Sequence, residues 1–142
     1  MKKEAMFYEK LENKKVHCFL CPHNCRIPEE GRGLCGVRRN MDGTLYSLNY
    51  GEISSIGVDP IEKKPLNRFH PGACILSVGS VGCNLKCPFC QNHSIAQVKP
   101  EEINTHTASG DEIVMKALEL KKQGNIGIAF TYNEPSIWYE LV

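Results

Sequence analysis

The spacing of apolar and polar residues changes character near residue 73. From there on, ACILSV (73–78) is a short uncharged run of the kind expected of a strand buried on both faces. SGDEIVMKALELKKQGN (109–125) follows with helical periodicity. Ser109 and Glu112 predict a capping box, Ile113, Val114, Ala117, Leu118 and Lys121 are expected to share one face, and Gly124 is placed to stop the helix. Glu112 and Lys116 stand four apart, as an ion pair on the wet side requires. IGIAF (126–130) reads as a second strand, TYNEP (131–135) as a loop, and SIWYELV (136–142) as a second helix beginning after Pro135. Before residue 73 the runs are shorter. In MDGTLYSLNYGEISSIGV (41–58) the Asp42-Gly43 turn signal is flanked by Leu45, Tyr46, Leu48, Tyr50 and Ile53, which suit short strands. DPIEKKPLNRFHPG (59–72), with three prolines, has no helical period and reads as an ordered or semi-extended connection.

Strand, loop, helix, strand, loop, helix is the order of a βαβ unit with parallel strands, so the fold class is α/β. In a right-handed unit both loops leaving the strands' C-terminal ends open onto the same sheet edge. The loop after the first strand, GCNLKCPFCQN (82–92), and TYNEP are therefore expected to face one pocket. A lone βαβ unit cannot cover its own sheet. The expected organisation is a small cysteine-rich N-terminal domain and connector over 1–72, then the start of a partial (β/α) barrel over 73–142, with Val142 a truncation point inside a larger barrel.

Composition narrows the function classes. A chain of 142 residues with 42% hydrophobic content can bury one core, and 17 Lys and Arg against 16 Asp and Glu give a net charge of +1, with no basic field for nucleic acid. The charged start MKKEAMFYEK is unlike a secretory signal, and no run is long enough to span a membrane, so a cytoplasmic location is expected. Eight cysteines in a reducing compartment point to metal or redox chemistry rather than disulfides.

Three of them, Cys83, Cys87 and Cys90, crowd one loop, and four readings compete. Buried thiols are the bland one, and three in one Gly- and Pro-containing loop argue against it. Zinc with His93 as fourth ligand is chemically permissible and would make a non-catalytic structural module. A thioredoxin-like dithiol at Cys87 and Cys90 leaves Cys83 idle. An iron–sulfur cluster with three thiolate ligands leaves one iron open for something exchangeable.

Cys83-x3-Cys87-x2-Cys90, with Phe89 before the last cysteine, resembles the cluster loop of the radical S-adenosylmethionine (radical SAM) superfamily. That resemblance implies a 4Fe-4S cluster on the three cysteines, with S-adenosylmethionine on the fourth iron. It further implies reductive cleavage of the sulfonium to a 5′-deoxyadenosyl radical that abstracts hydrogen from a substrate. TYNEP is similar to the family's Gly-Gly-Glu-Pro-like element. Glu134 would then hold the methionine amine, with Asn133 beside it and Phe89 near the adenine, although Tyr132 and Asn133 stand where the family has glycines. The alternative for Glu134 is a carboxylate at a helix N-terminus. Across nearly the whole chain, CFLCPHNCRIPEEGRGLCGVRRN, DPIEKKPLNRFHPG, GCNLKCPFCQN and TYNEP resemble the AmmeMemoRadiSam system radical SAM enzymes, relatives of the pyruvate formate-lyase activating enzymes. This implies an oxidoreductase-type activating enzyme with a reductant such as flavodoxin or ferredoxin, AMMECR-like and Memo-like partners, and a protein or peptide target.

Cys18, Cys21, Cys25 and Cys35 make a closed set of four, suited to a zinc or a second Fe-S site; unligated thiols are the alternative. Cys74 reads as core. His17, His23 and His93 adjoin cysteines and read as polar surface groups, with His93 alone a metal candidate if zinc is bound; His70 and His106 carry no signal. Asp59, Glu62, Lys63, Lys64 and Arg68 read as a solvated charge run, close enough to the first strand for a substrate or cofactor contact. Trp138 and Tyr139 are expected to pack the second helix.

Overall fold

The computed structural model describes residues 2–142. Its N-terminal unit is built from short strands because its apolar runs are short. Strands β1 (Lys3–Glu4), β2 (Tyr8–Lys10), β3 (Val16–Cys18), β4 (Cys25–Ile27), β5 (Arg38–Met41) and β6 (Thr44–Ser47) form two small antiparallel sheets, ordered β1-β6-β5 and β2-β3-β4. The Asp42-Gly43 signal is realised as the β5–β6 hairpin turn, both residues at positive φ (52° and 76°). Ala5, Val16, Cys18, Ile27 and Leu45 make the core between the two sheets.

Next come β7 (Glu52–Ile53), β8 (Ser55–Pro60) and β9 (Cys74–Gly79), then a short helix α1 (His93–Ala96), β10 (His106–Thr107), helix α2 (Gly110–Glu119) and β11 (Asn125–Phe130). β9 and β11 pair in parallel with α2 between them, as the βαβ reading requires. A third strand was not expected: β8 pairs antiparallel with β9 from Ser55–Gly79 to Pro60–Cys74, so the sheet runs β11-β9-β8 and the segment starting at Asp59 is bound into it. Only after Pro60 does the chain leave, through a 3-10 turn at Ile61–Lys63.

Leu76 and Val78 of β9 point to α2 and pack with Ile53, Ile113, Ala117, Leu120 and Trp138. Ser77 points to the other face. This alternation gives the sheet one apolar side and one chemical side. A β-bulge between Asn125 and Ile128 is stitched by the buried Asn125, whose amide accepts from the Leu76 N–H (2.7 Å) and donates to the Ala117 carbonyl (2.9 Å).

Helix α2 begins at the expected capping box, with Ser109 Oγ accepting from Glu112 N and the Glu112 carboxylate accepting from Ser109 N. Gly124 closes the segment at φ 88°, after a last 3-10 turn over Leu120–Gln123. Two expectations fail here. The buried stripe is Ile113, Ala117 and Leu120, whereas Val114 and Leu118 are 48% and 62% exposed, because α2 covers only two strands and its flanks stay open to solvent. Glu112 is committed to the cap, so Lys116 pairs with Glu119 instead (3.3 Å).

The segment after Pro135 is a 3-10 turn, Pro135–Trp138, not a helix of the expected kind. Its neighbours explain this. Ile137 is buried against Cys35 and Val37 of the N-terminal unit, while the next residue, Trp138, is buried in the βαβ core edge-to-face with Phe130. Consecutive side chains sent into two different cores suit one tight turn better than a helical stripe. The Trp138 indole N–H is satisfied by the Asn49 carbonyl (2.7 Å), and Tyr139 lies half-exposed rather than in the core.

Candidate active site

The two loops at the C-terminal ends of β9 and β11 meet. Cys83, Cys87 and Cys90 together with Tyr132, Asn133 and Glu134 line one cavity of about 220 Å³, completed by Leu85 and Ala96. Hydrogen bonds set this juxtaposition. Thr131 N donates to Val78 O (2.9 Å), continuing the parallel ladder past the end of β11. Asn133 accepts from Ser80 N (3.1 Å) and donates to Gly82 O (2.7 Å), and Asn92 donates to Tyr132 O (2.9 Å). The Asn133 amide is thus engaged in binding the two loops to each other.

The cysteine loop folds back on itself, with Gly82 N bonded to Ile95 O and the Gln97 amide bonded to Cys87 O, both at 2.9 Å. Cys83 is buried and its sulfur accepts from Leu85 N (3.3 Å), whereas Cys87 and Cys90 are half-buried and Phe89 is 86% exposed. Gly82 is at φ 81°, and a β-carbon there would stand 2.5 Å from Val37 Cγ1 and 2.7 Å from Cys35 O. Gly82→Ala is therefore expected to cost about 2–3 kcal/mol through combined backbone strain and overpacking. Urea denaturation of the variant against wild type measures it.

All eight cysteines are free thiols. Among the described residues no three of His, Cys, Asp and Glu converge as ligands of a single metal ion, which holds thiolate sulfurs roughly 3.8 Å apart for a tetrahedral zinc. Cys83, Cys87 and Cys90 instead line one cavity together, and three soft thiolates are a donor set that suits iron and sulfur. Two buried oxygens in the same stretch of chain, Ser80 Oγ and Asn84 Oδ1, have no hydrogen-bond partner. The residues present fit a cluster. His93 Nδ1 lies 3.3 Å from Cys90 O, against its own turn.

Glu134 takes the N-terminal place of the alternative reading and also lines the cavity. Its Oε1 accepts from Ser136 N (3.1 Å), capping the 3-10 turn, and the same carboxylate lines the cavity. Tyr132 stands where a glycine was expected, and the backbone explains what the tyrosine gives up, since it holds φ 71°, a conformation glycine adopts freely. The side chain recovers that cost through contacts, its hydroxyl donating to Asp59 Oδ2 (3.1 Å) and its ring lying 5.3 Å below the Lys64 ammonium. Gly79 makes room for it, because a β-carbon there would come within 2.8 Å of the Tyr132 ring.

In the first cysteine set, Cys18 and Cys25 are directly opposed across β3 and β4, and Cys18 and Cys35 are buried. Burial pushes both of those thiols up, and mutual repulsion adds to it, from Cys21 and Cys25 on Cys18 and from Cys18 on Cys35. Cys21, Cys25 and Cys35 thus each interact with Cys18. This unit also abuts the other loop, with a His23 ring nitrogen 2.8 Å from Asn84 O. Cys74 is partly buried at the start of β9, away from both sets.

Sequence reasoning undervalued Asp59. β8 turns it to the Ser77 face of the sheet, where it is 7% exposed and accepts from Lys63 (2.9 Å), Lys64 (2.8 Å) and Ser77 (2.7 Å) in addition to Tyr132. Hydrogen bonds from Lys64, then Lys63 and Ser77, hold its carboxyl well below the usual carboxylate range. The network's stabilisation is thus complete above an unfolded aspartate's pKa of about 3.9 and fades only as pH falls through the depressed value. The signal available in the sequence was an acid opposite Ile75, on the same sheet face as Ser77, visible only once β8 is known to pair with β9.

Parallel βαβ topology, with a three-cysteine loop and an acidic loop sharing one rim, defines a class that known families can be tested against. Residues 77–142 match the model of the Radical SAM superfamily. That segment runs from Ser77 of β9 through the cysteine loop, α2, β11 and TYNEP, and it supports radical SAM-type chemistry. Over 140 residues, 99% of this chain and 41% of the relative, the sequence is 44% identical to "Uncharacterized protein MJ0808" of Methanocaldococcus jannaschii. A second protein of that organism, "Uncharacterized protein MJ0674", is 31% identical over 83 residues, 58% of this chain and 20% of the relative. The chain thus spans less than half the length of the curated relatives it matches. No solved structure matches it. No helix among the described residues is long and apolar enough to cross a membrane.

Proposed function

We propose that this chain carries the cofactor site of a radical SAM enzyme, with Cys83, Cys87 and Cys90 as the three protein ligands of a 4Fe-4S cluster. The observation that carries the reading is the single cavity lined by all three cysteines and by Glu134. When bound, the cluster with S-adenosylmethionine on its open iron supplies reductive carbon–sulfur cleavage to a 5′-deoxyadenosyl radical for hydrogen abstraction. The chain's own groups bind and orient. Glu134 offers a carboxylate to the cosubstrate's ammonium, a charge-assisted contact strengthened by a part-buried setting. Phe89, exposed and adjacent to Cys90, offers a ring face to the adenine. Asn133 holds the acidic loop against Ser80 and Gly82, which fixes Glu134 relative to the cysteines.

Anaerobic reconstitution with iron and sulfide tests this. About four irons bound per site, a brown chromophore and S-adenosylmethionine cleavage on reduction are the expected result. Uptake of stoichiometric colourless zinc with no iron would overturn it in favour of a structural module. The reading extends to an electron donor of flavodoxin or ferredoxin type and to a protein or peptide target, which the resemblance to activating enzymes suggests. Cys18, Cys21, Cys25 and Cys35 are read as a second site, for zinc or for iron and sulfur, supported by their closed count of four in a unit with a small core and by the register that sets Cys18 opposite Cys25. A variant lacking Cys83, Cys87 and Cys90 should retain that metal, and complete loss of metal would remove the second site.

A further inference from the structure

A second, larger cavity adjoins the first. It measures about 690 Å³, within the size range of small-ligand sites, and Tyr132 lines both. Its floor is the sheet face opposite α2, marked by Ile75 and Ala129, and its far side is the Asp59 network. Gln91 and Asn92, which follow Cys90 directly, close it toward the cysteine loop.

The charges in this cavity do not balance. Asp59 is its one acid, and its carboxylate already accepts four hydrogen bonds, from Lys63 at Oδ1 and from Lys64, Ser77 and Tyr132 at Oδ2. Two ammonium groups face that one carboxylate, so one positive charge is left over. Lys63 is 68% exposed and its charge is largely screened by water. Lys64 is different: its side chain is only 15% exposed and its ammonium is held between Asp59 and the Tyr132 ring. An ammonium has three protons, and Asp59 takes one of those on Lys64. The Tyr132 ring receives the charge from its face, which leaves donor capacity directed at the cavity.

We propose that this cavity binds an oxyanion, a carboxylate or phosphate group of the substrate, with Lys64 as its main contact and Asp59 as the acid whose charge offsets part of that of the two lysines. A pocket holding a fixed, part-dehydrated ammonium with no free acid beside it favours an anion over a cation or a neutral group. Assigning the anion to the substrate rests on the radical reading, because Tyr132 separates it by one ring from the cavity where the radical would form. Binding of the oxyanion itself does not rest on that reading.

The test uses the full chain without iron or S-adenosylmethionine, titrated separately with inorganic phosphate and with succinate while backbone amide shifts are followed by NMR. Saturable shifts centred on residues 59–66, 91–92 and 129–132 are expected with at least one anion, and the tighter of the two identifies the group as phosphoryl or carboxylate. Lys64→Met, which keeps most of the buried stem, should weaken binding at least about tenfold through loss of one charge-assisted hydrogen bond. Lys64→Arg should retain binding. Asp59→Asn removes the compensating charge and should tighten it severalfold, a change of the opposite sign that a merely structural role would not produce. Absence of saturable shifts with both anions overturns the proposal. So does wild-type affinity in Lys64→Met, or affinity at or below wild type in a folded Asp59→Asn. Failure of iron reconstitution would leave this titration unaffected, so the two readings fail separately.

Discussion

Alanine at Cys83, Cys87 or Cys90 is expected to abolish cluster assembly at the βαβ site and with it reductive S-adenosylmethionine cleavage. In the proposed site each thiolate is one of three protein ligands, so the loss should exceed the roughly 10–100-fold that removal of an outer partner of a metal site costs. Stability should scarcely follow. Cys87 and Cys90 are half-buried in a loop and should shift unfolding by about 0.5 kcal/mol or less, with a somewhat larger cost at buried Cys83. Iron content, the visible spectrum and 5′-deoxyadenosine yield, measured beside a urea unfolding curve, separate loss of chemistry from loss of fold. Normal cleavage in the Cys87→Ala protein would refute the ligand assignment.

The second large effect is on folding. Glu140 and Arg38 form an ion pair at 2.6 Å with both side chains 2% exposed. It is braced by Met6, whose N–H donates to Glu140 (2.8 Å) and whose carbonyl accepts from Arg38 (3.0 Å). Glu140→Ala strands a buried guanidinium and should destabilise the chain by about 3–5 kcal/mol. The double replacement Arg38→Met with Glu140→Leu should recover most of that loss, because Arg38 Nε and Glu140 Oε2 already lack partners and the pair's desolvation is incompletely offset. A double-mutant cycle by urea denaturation checks both statements. If Glu140→Ala unfolds within 1 kcal/mol of wild type, the pair is not what holds residues 135–142 to the N-terminal unit.

These two predictions differ in how much of their basis the sequence contained. The cysteine loop, the strands around it, the capping box at Ser109 and the turn at Asp42-Gly43 are local patterns, each decided by residues within a few positions of one another. The meeting of the cysteine loop with TYNEP was legible as well, since the handedness of a βαβ unit determines which edge its loops share. Arg38 with Glu140 lie 102 positions apart and Asp59 with Tyr132 lie 73 apart, so neither contact has a local signature. The exposed flanks of α2 and the 3-10 turn at Pro135 departed from expectation for the same reason: what they pack against, or fail to, is set by tertiary neighbours. Asn133 is a further case. Its place in TYNEP suggested a ligand contact, and the structure adds bonds from its amide to Ser80 and Gly82 that no local pattern announces.

Tyr132 touches both cavities while holding a backbone conformation that glycine would adopt without strain. A ring stands there in place of a hydrogen atom, and its hydroxyl is tethered to Asp59. One residue thus belongs to the walls of both spaces, so a group seated against Lys64 and a group seated among the cysteines would each bear on the same tyrosine.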